Sequence, residues 1–289
     1  MNIQYNNKIN KTNLYYVQNG IGKVALFTNF INDLYEKDQN KISISSPYPE
    51  IFKNHPYVQS STILGSEPSK MLDEYFDDMI YVEPYFSAYN KDKSHILKVW
   101  RELLGINSET FEDYIEIFTD NESHSYYQKV QESIGKPYII IQFKGGTNIY
   151  SKEKNNDTSR DYNDELNLIT KIHNTFKEYF IMVIKTQHDY YNPLINNLDR
   201  ICTVEDENIL ILQELVNNCT TFVSIDSCIQ HLACNKNYFK RGIVLWGNST
   251  HSHKIGHQMH INLKSDSLME LKINHDDVID NLKNLLEYV

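Results

Sequence analysis

One segment of the sequence constrains the fold more than any other. Residues 221–250, TFVSIDSCIQHLACNKNYFKRGIVLWGNST, contain an apolar strand that ends at Asp226-Ser227, then a short helix, then a second apolar strand that ends at Trp246-Gly247-Asn248. A strand that passes directly into a helix leaves backbone N–H groups and the positive end of the helix dipole at the edge of the sheet. The segment therefore predicts an α/β unit with a site for an anion, most simply a diphosphate, at that edge.

The first half of the chain shows the same alternation of strand and helix patterns. Leu14 to Val17 predicts a buried strand, residues 24–35 predict a helix, and Ile42 to Ser45 predicts the next strand. Further strands are expected at 61–64 and 79–82, and further helices at 94–104 and 122–134. The chain therefore begins as a β-loop-α-β unit.

Gly135-Lys136-Pro137 interrupts this pattern, and we place a domain boundary there, between residues 1–135 and 136–289. The second half is predicted to contain strands at 138–143, 180–184, 221–224, 242–246 and 259–263, with helices at 161–176, 208–216 and 275–288. A chain of 289 residues, of which 40% are hydrophobic, is long enough for two cores. Two consecutive α/β units imply two mostly parallel sheets that face each other across a cleft.

Composition excludes several classes of protein. The formal net charge of -10 gives no overall basic surface for nucleic acid, so we expect no nucleic-acid partner. No apolar run approaches the length of a transmembrane helix, and we expect neither a transmembrane segment nor a classical export signal. The four cysteines, which form no C-x-x-C pair, indicate a reduced, cytoplasmic protein.

Two motifs carry a resemblance to a known family. Gly20-Ile21-Gly22-Lys23 opens the first predicted helix, and residues 226–233, DSCIQHLA, precede a strand that ends in residues 246–250, WGNST. They resemble the Gly-x-Gly-Asp turn and the Asp-Ser/Thr-Gly-x-x-His-Leu-Ala and Phe/Tyr-Gly-Pro-Thr motifs of glycosyltransferase family 9. This family contains the bacterial heptosyltransferases that build the inner core of lipopolysaccharide. The resemblance covers nearly the whole chain, and its second motif is the more specific.

The resemblance implies a GT-B fold, which consists of two Rossmann-like domains with a cleft between them. The acceptor would lie over residues 1–135 and the nucleotide-sugar donor over residues 136–289. Whether the last helix packs against the N-terminal domain is left open. It also implies inverting transfer without a required metal or cofactor, and ADP-heptose as the favoured donor. The acceptor would be a glycan, lipid-linked or protein hydroxyl, and the protein would be cytoplasmic, with peripheral attachment to the inner membrane left open.

Donor binding is predicted at the ends of two strands. A departing diphosphate needs a fixed cation, for which Lys144, Lys152, Lys154 and Arg160 are candidates. By the resemblance, Arg160 is favoured among them, against a solvated loop charge. The full predicted donor set is Lys144, Gly145, Gly146, Arg160, Asp226, Ser227, Cys228, His231, Asn248, Ser249 and Thr250. Three alternatives remain open: Asp226 caps its helix, His231 is a core histidine, and the two glycines form an ordinary turn.

The catalytic base is the main departure from the family. Lys23 stands where the family has the Asp of Gly-x-Gly-Asp, and a protonated lysine cannot accept the proton of an acceptor hydroxyl. Three alternatives remain open: another carboxylate, such as Asp33 or Glu50, takes the role, Lys23 instead binds an anionic acceptor or a phosphate, or catalysis has been lost. The last reading makes the protein a nucleotide-sugar-binding module, and a sugar-nucleotide epimerase is a further rival.

Histidines recur in the segment 251–260. His251, His253, His257 and His260 are spaced by 2, 4 and 3 residues, which is compatible with a metal site in principle. No cysteine or paired carboxylate accompanies them, so we predict no metal. A contact with the nucleotide and an ordinary polar loop are the other interpretations.

Overall fold

The computed structural model describes residues 12–18, 20–66, 76–81, 83–84, 95–106, 112–145, 162–186, 189, 191–205, 207–247, 252–265 and 270–287. Two parallel sheets organise these residues, one in each half of the chain. The predicted α/β class with two parallel sheets is confirmed.

The first sheet has four parallel strands in the order β3-β2-β1-β4. Its strands are β1 (Thr12–Tyr16), β2 (Ile42–Ser46), β3 (Val58–Ile63) and β4 (Phe76–Tyr81). β2 is buried along its whole length, as expected for a strand covered on both faces. Because β1 lies between β2 and β4, the loops that follow these three strands meet at one sheet edge.

The second sheet has six parallel strands in the order β10-β9-β8-β5-β6-β7. Its strands are β5 (Tyr138–Gln142), β6 (Phe180–Lys185), β7 (Ile201–Glu205), β8 (Thr221–Ile225), β9 (Ile243–Trp246) and β10 (Ile261–Lys264). The strand order reverses between β5 and β8. In an open parallel sheet, ligands bind beyond the carboxyl ends of the strands at such a reversal.

Nine α-helices lie within the described residues. They are α1 (Ile21–Phe27), α2 (Ile31–Asp38), α3 (Ile96–Leu104), α4 (Asn121–Ile134), α5 (Glu165–Thr175), α6 (Ile209–Asn218), α7 (Cys228–Leu232), α8 (Ser252–Ile255) and α9 (His275–Leu286). Short 3₁₀ helices occur at Thr28–Phe30, Pro49–Phe52 and Pro193–Asn197. Within the described ranges, no helix is both long and apolar enough to cross a membrane.

Most predicted elements appear close to their expected positions, with two informative differences. The predicted helix 24–35 begins earlier and is divided into α1 and α2 by the 3₁₀ turn Thr28–Phe30, where Thr28 Oγ1 donates to the Ala25 carbonyl. β7 was not predicted, because the short sequence ICTVE carries a weak pattern and the strand lies at the sheet edge beside β6.

The two halves are in extensive contact. α4 packs against α6, Ile115 forms a parallel bridge with Asn235, and Asn235 Nδ2 donates to the Ile117 carbonyl at 2.9 Å. One hydrophobic cluster contains buried side chains from both halves, among them Phe27, Trp100, Leu215 and Trp246. The described contacts of the closing helix α9 include α5 and β9 of the larger sheet. The domain limits 1–135 and 136–289 stay a prediction.

Candidate functional site

The two sequence motifs meet in space. α1 follows β1 and α7 follows β8, and these two short helices pack against each other. Gly22 on α1 makes this approach possible, because a Cβ atom there would lie 2.6 Å from His231 Cδ2 and 3.6 Å from the Cys228 backbone. The Gly-x-Gly turn of one half therefore contacts the DSCIQHLA motif of the other.

The start of α7 tests the interpretation of Asp226 as a helix cap. Its N-cap is Ser227, without a side-chain capping hydrogen bond, whereas Asp226 is buried and its Oδ1 accepts from Gln230 Nε2 at 2.7 Å. The interpretation of Asp226 as the helix cap is therefore wrong. Cys228 lies beside Gln142, and burial raises the pKa of its thiol to about 12, so the thiol stays protonated at neutral pH.

Lys23 forms a buried ion pair that the sequence did not reveal. Its Nζ lies 2.5 Å from Glu83 Oε2, and it also lies over the ring of Trp100, 5.6 Å from the centroid. Burial lowers the pKa of Lys23, while the hydrogen bond and charge of Glu83 act in the opposite direction. Glu83 thus brings a carboxylate next to Lys23, the position at which the sequence resemblance predicts an Asp.

The other predicted carboxylates are placed elsewhere. Asp33 lies on α2, and its Oδ2 accepts from Arg101 Nη1 at 2.7 Å. Glu50 belongs to the 3₁₀ helix Pro49–Phe52 and is partly exposed. The structure therefore brings Glu83 to Lys23 and holds Asp33 in a separate ion pair.

Lys144 is buried after the end of β5. Its ammonium donates to the Tyr162 carbonyl at 3.2 Å and lies 3.9 Å from Glu165 Oε2. These contacts tie the end of β5 to the start of α5, beside the buried Gly145. The remaining predicted donor residues, Gly146, Arg160, Asn248, Ser249 and Thr250, lie outside the described residues, as do the candidates Lys152 and Lys154.

Two histidines of the segment 251–260 point into the protein. His257 Nε2 lies 2.8 Å from His231 Nδ1, and His260 Nε2 lies 2.9 Å from the Gln230 carbonyl oxygen. Both rings are buried, so the interpretation as an ordinary polar loop is wrong for these two residues. Burial lowers the pKa of His260 to about 4, which keeps it neutral. Within the residues that the structure describes, no group of three or more His, Cys, Asp or Glu is arranged to hold a metal ion.

His257 also contacts Asp113, a residue of the segment between α3 and α4. His257 Nδ1 lies 2.6 Å from Asp113 Oδ1. Burial by itself raises the pKa of Asp113, but the contact with His257 outweighs this effect, so the pKa of Asp113 lies below its usual range. Asp113 is therefore ionised at neutral pH.

Solved structures share the fold of this chain. The family 9 glycosyltransferase of Veillonella parvula matches with a TM-score of 0.71 and 12% identity over 96% of this chain and 98% of that one. Escherichia coli ADP-heptose lipopolysaccharide heptosyltransferase II matches with a TM-score of 0.70 and 11% identity, over 96% and 99% of the two chains. This chain has the family 9 glycosyltransferase fold. The predicted GT-B architecture is therefore confirmed, and identities this low establish the fold alone.

Escherichia coli heptosyltransferase WaaC, solved with ADP, matches with a TM-score of 0.56 and 9% identity, over 96% of this chain and 98% of that one. The sequence itself matches no protein-family model and none of the curated proteins. The polar side chains that the structure brings together around α1 and α7 are Lys23, Glu83, Asp113, His231 and His257. Sequence reasoning missed Glu83 and Asp113, because each is far along the chain from its partner and no local pattern marks it.

Proposed function

We propose that this protein is an inverting glycosyltransferase that moves a sugar from a nucleotide diphosphate donor to an acceptor hydroxyl. The observation that supports it best is the contact between α1 and α7, in which Gly22 meets Cys228 and His231. This contact joins the two motifs that resemble family 9, within a fold shared by glycosyltransferases. ADP-heptose is the favoured donor, because the matched structures include an ADP-heptose heptosyltransferase and WaaC with ADP.

In this proposal the six-stranded half binds the donor and the four-stranded half faces the acceptor. The backbone of residues 226–228 and the side chain of Arg160 would contact the diphosphate, with Asn248 to Thr250 beside the nucleotide. Lys144 supports this region from within, because its ammonium already binds the Tyr162 carbonyl. No metal or other cofactor is proposed, since amide groups and side-chain cations supply the compensating charge.

The acceptor hydroxyl attacks the anomeric carbon, the bond from that carbon to the diphosphate breaks, and the configuration inverts. Alignment of the two substrates across the contact of the two halves supplies much of the rate enhancement. We propose a cytoplasmic reaction with a glycan of the lipopolysaccharide core as acceptor, and other surface glycans and protein hydroxyls as alternatives.

A nucleotide-sugar-binding protein without transferase activity is the second candidate. The observation that favours it is the pairing of Lys23 with Glu83, because the position of the family's base holds an ammonium ion. Such a protein would bind the donor and leave it intact.

Calorimetry with ADP-heptose and a transfer assay distinguish these candidates. The wild-type protein is mixed with ADP-heptose and lipopolysaccharide truncated in its inner core, ADP release is measured, and the anomeric configuration of the product is determined by NMR. UDP- and GDP-sugars serve as parallel donors. Transfer with inversion supports the transferase, binding without turnover supports the binding protein, and absence of binding to every nucleotide sugar refutes both.

A further inference from the structure

Three polar side chains from three segments form a chain at the contact of α1 and α7, in which the two histidines are buried and the side chain of Asp113 is 23% exposed. Asp113 precedes α4, His257 follows α8, and His231 lies on α7. His257 is fully buried, with Nδ1 facing Asp113 at 2.6 Å and Nε2 facing His231 Nδ1 at 2.8 Å. We refer to these residues as the Asp113–His257–His231 chain.

The hydrogen positions along this chain follow from the charge of Asp113. An ionised carboxylate only accepts, so His257 Nδ1 carries a hydrogen. In neutral His257 the other nitrogen, Nε2, then accepts, and the hydrogen between the two rings lies on His231 Nδ1. Nε2 of a neutral His231 is thus its proton-accepting atom. Although the contact of Asp113 with His257 lies outside ideal hydrogen-bond geometry, the negative charge of Asp113 at 2.6 Å favours a hydrogen on His257 Nδ1 over a lone pair there.

His231 presents this atom to the first turn of α1. A Cβ atom at Gly22 would lie 3.2 Å from Nε2, so the nitrogen lies beside the Gly-x-Gly turn, at the residue that precedes Lys23 in the sequence. Lys23 itself is engaged with Glu83 and, when protonated, has no lone pair to accept a proton.

We propose that His231 is the general base of the reaction and that Asp113 and His257 are its positioning residues, an inference that rests on the proposed glycosyltransferase function. Nε2 of His231 takes the proton of the acceptor hydroxyl while the hydroxyl oxygen bonds to the anomeric carbon. The bond from that carbon to the diphosphate breaks, and the diphosphate leaves with the electron pair. The charge of Asp113 stabilises the imidazolium that forms.

Other titratable groups surround the chain and enter its charge balance. They are Lys23 on α1, His95 at the start of α3, Cys228 on α7, His253 on α8 and His260. Burial holds His95 and His260 toward their neutral forms and Cys228 protonated, and Asp113 supplies the negative charge of the chain.

The first test replaces His231 with glutamine, which can still hydrogen-bond to His257 but cannot take up a proton. We expect kcat for transfer from ADP-heptose to fall about 100-fold or more, with the affinity for ADP retained, because a general base contributes about 10² to 10⁴ in rate. His260→Gln is the matched control, a second buried histidine of the same region, and we expect it to keep wild-type kcat. Imidazole added to His231→Ala should restore part of the lost rate.

The second test is the pH profile of Asp113→Asn. Removal of a negative charge disfavours the imidazolium, so the pKa of His231 should fall and the acid limb of kcat should move about one pH unit or more lower. The plateau rate should fall as well, because the base is weaker. A purely structural role for Asp113 would lower the plateau without moving the limb.

The outcomes separate this inference from the proposed function. Wild-type transfer together with full activity of His231→Gln overturns the base assignment and leaves the transferase in place. If His231→Gln does not fold, an unmoved acid limb in Asp113→Asn overturns the assignment. If the wild-type protein binds ADP-heptose but neither transfers nor hydrolyses it, the proposed function fails and the base assignment fails with it.

Discussion

Replacement of Lys23 by methionine tests the buried ion pair at the candidate site. The side chains of Lys23 and Glu83 are 5% and 7% exposed, so the substitution leaves a carboxylate without its partner in a largely dry environment. Removal of one member of a buried pair typically costs about 3–5 kcal/mol, and the lost contact with Trp100 adds to this. We therefore expect the free energy of unfolding to fall by about 3–5 kcal/mol.

Urea denaturation followed by tryptophan fluorescence measures this change, since Trp100 is one of two tryptophans in the chain. Lys171→Met is the matched control, because Lys171 pairs with Asp276 at 2.6 Å on the surface and should cost at most about 1 kcal/mol. The double variant Lys23→Met/Glu83→Gln should recover part of the loss, because no buried charge then remains unpaired. Equal costs for Lys23→Met and Lys171→Met would refute the buried ion pair.

Three further predictions concern packing, capping and pH. Gly22→Ala places a Cβ atom 2.6 Å from His231 Cδ2, so it should lower the free energy of unfolding by about 1–3 kcal/mol. It should also weaken the binding of ADP measured by calorimetry, and unchanged binding would argue against the contact of α1 and α7 as the donor site. Asp120→Ala removes the side-chain oxygen that caps α4 by accepting from Ser123 N, and it should lower the free energy of unfolding, measured by urea denaturation, by about 1 kcal/mol. Asp280→Ala, on the exposed face of α9, is the control and should leave the free energy of unfolding nearly unchanged. Burial lowers the pKa of His260 to about 4 from 6.5, so between these values the unfolded chain binds a proton that the folded chain does not. As the pH drops through that window, the contribution of His260 should lower the free energy of unfolding by about 1.4 kcal/mol per pH unit. His260→Gln should remove this contribution from the pH dependence of stability, and an unchanged pH dependence in the variant would contradict the prediction.

Local pattern was sufficient for most of the architecture. Apolar runs bounded by polar turns predict β1, β5, β6, β8 and β9, because strands of a parallel sheet are buried on both faces and their sequences are rich in apolar residues. The sequence of β2, ISISS, has its apolar residues at alternate positions instead. Gly135 was recognised as a break, and it ends α4 at φ +59°, in the left-handed region that favours glycine. The edge strand β7 and the division between α1 and α2 escaped prediction, because neighbouring elements rather than local pattern decided them.

The sequence by itself predicts the two turns that form the site, through the motifs at residues 226–233 and 20–23. Only the tertiary structure showed that Gly22 touches His231, that Glu83 reaches Lys23, and that Asp113 reaches His257. The physical reason is that each of these contacts joins residues far apart in the chain. Parallel pairing of β1 with β4 ends both strands at one sheet edge, near Lys23 and Glu83, and the packing of α1 on α7 brings the two halves together. The local sequence therefore predicts where each turn lies, whereas the strand order decides which charged side chain lies next to that turn.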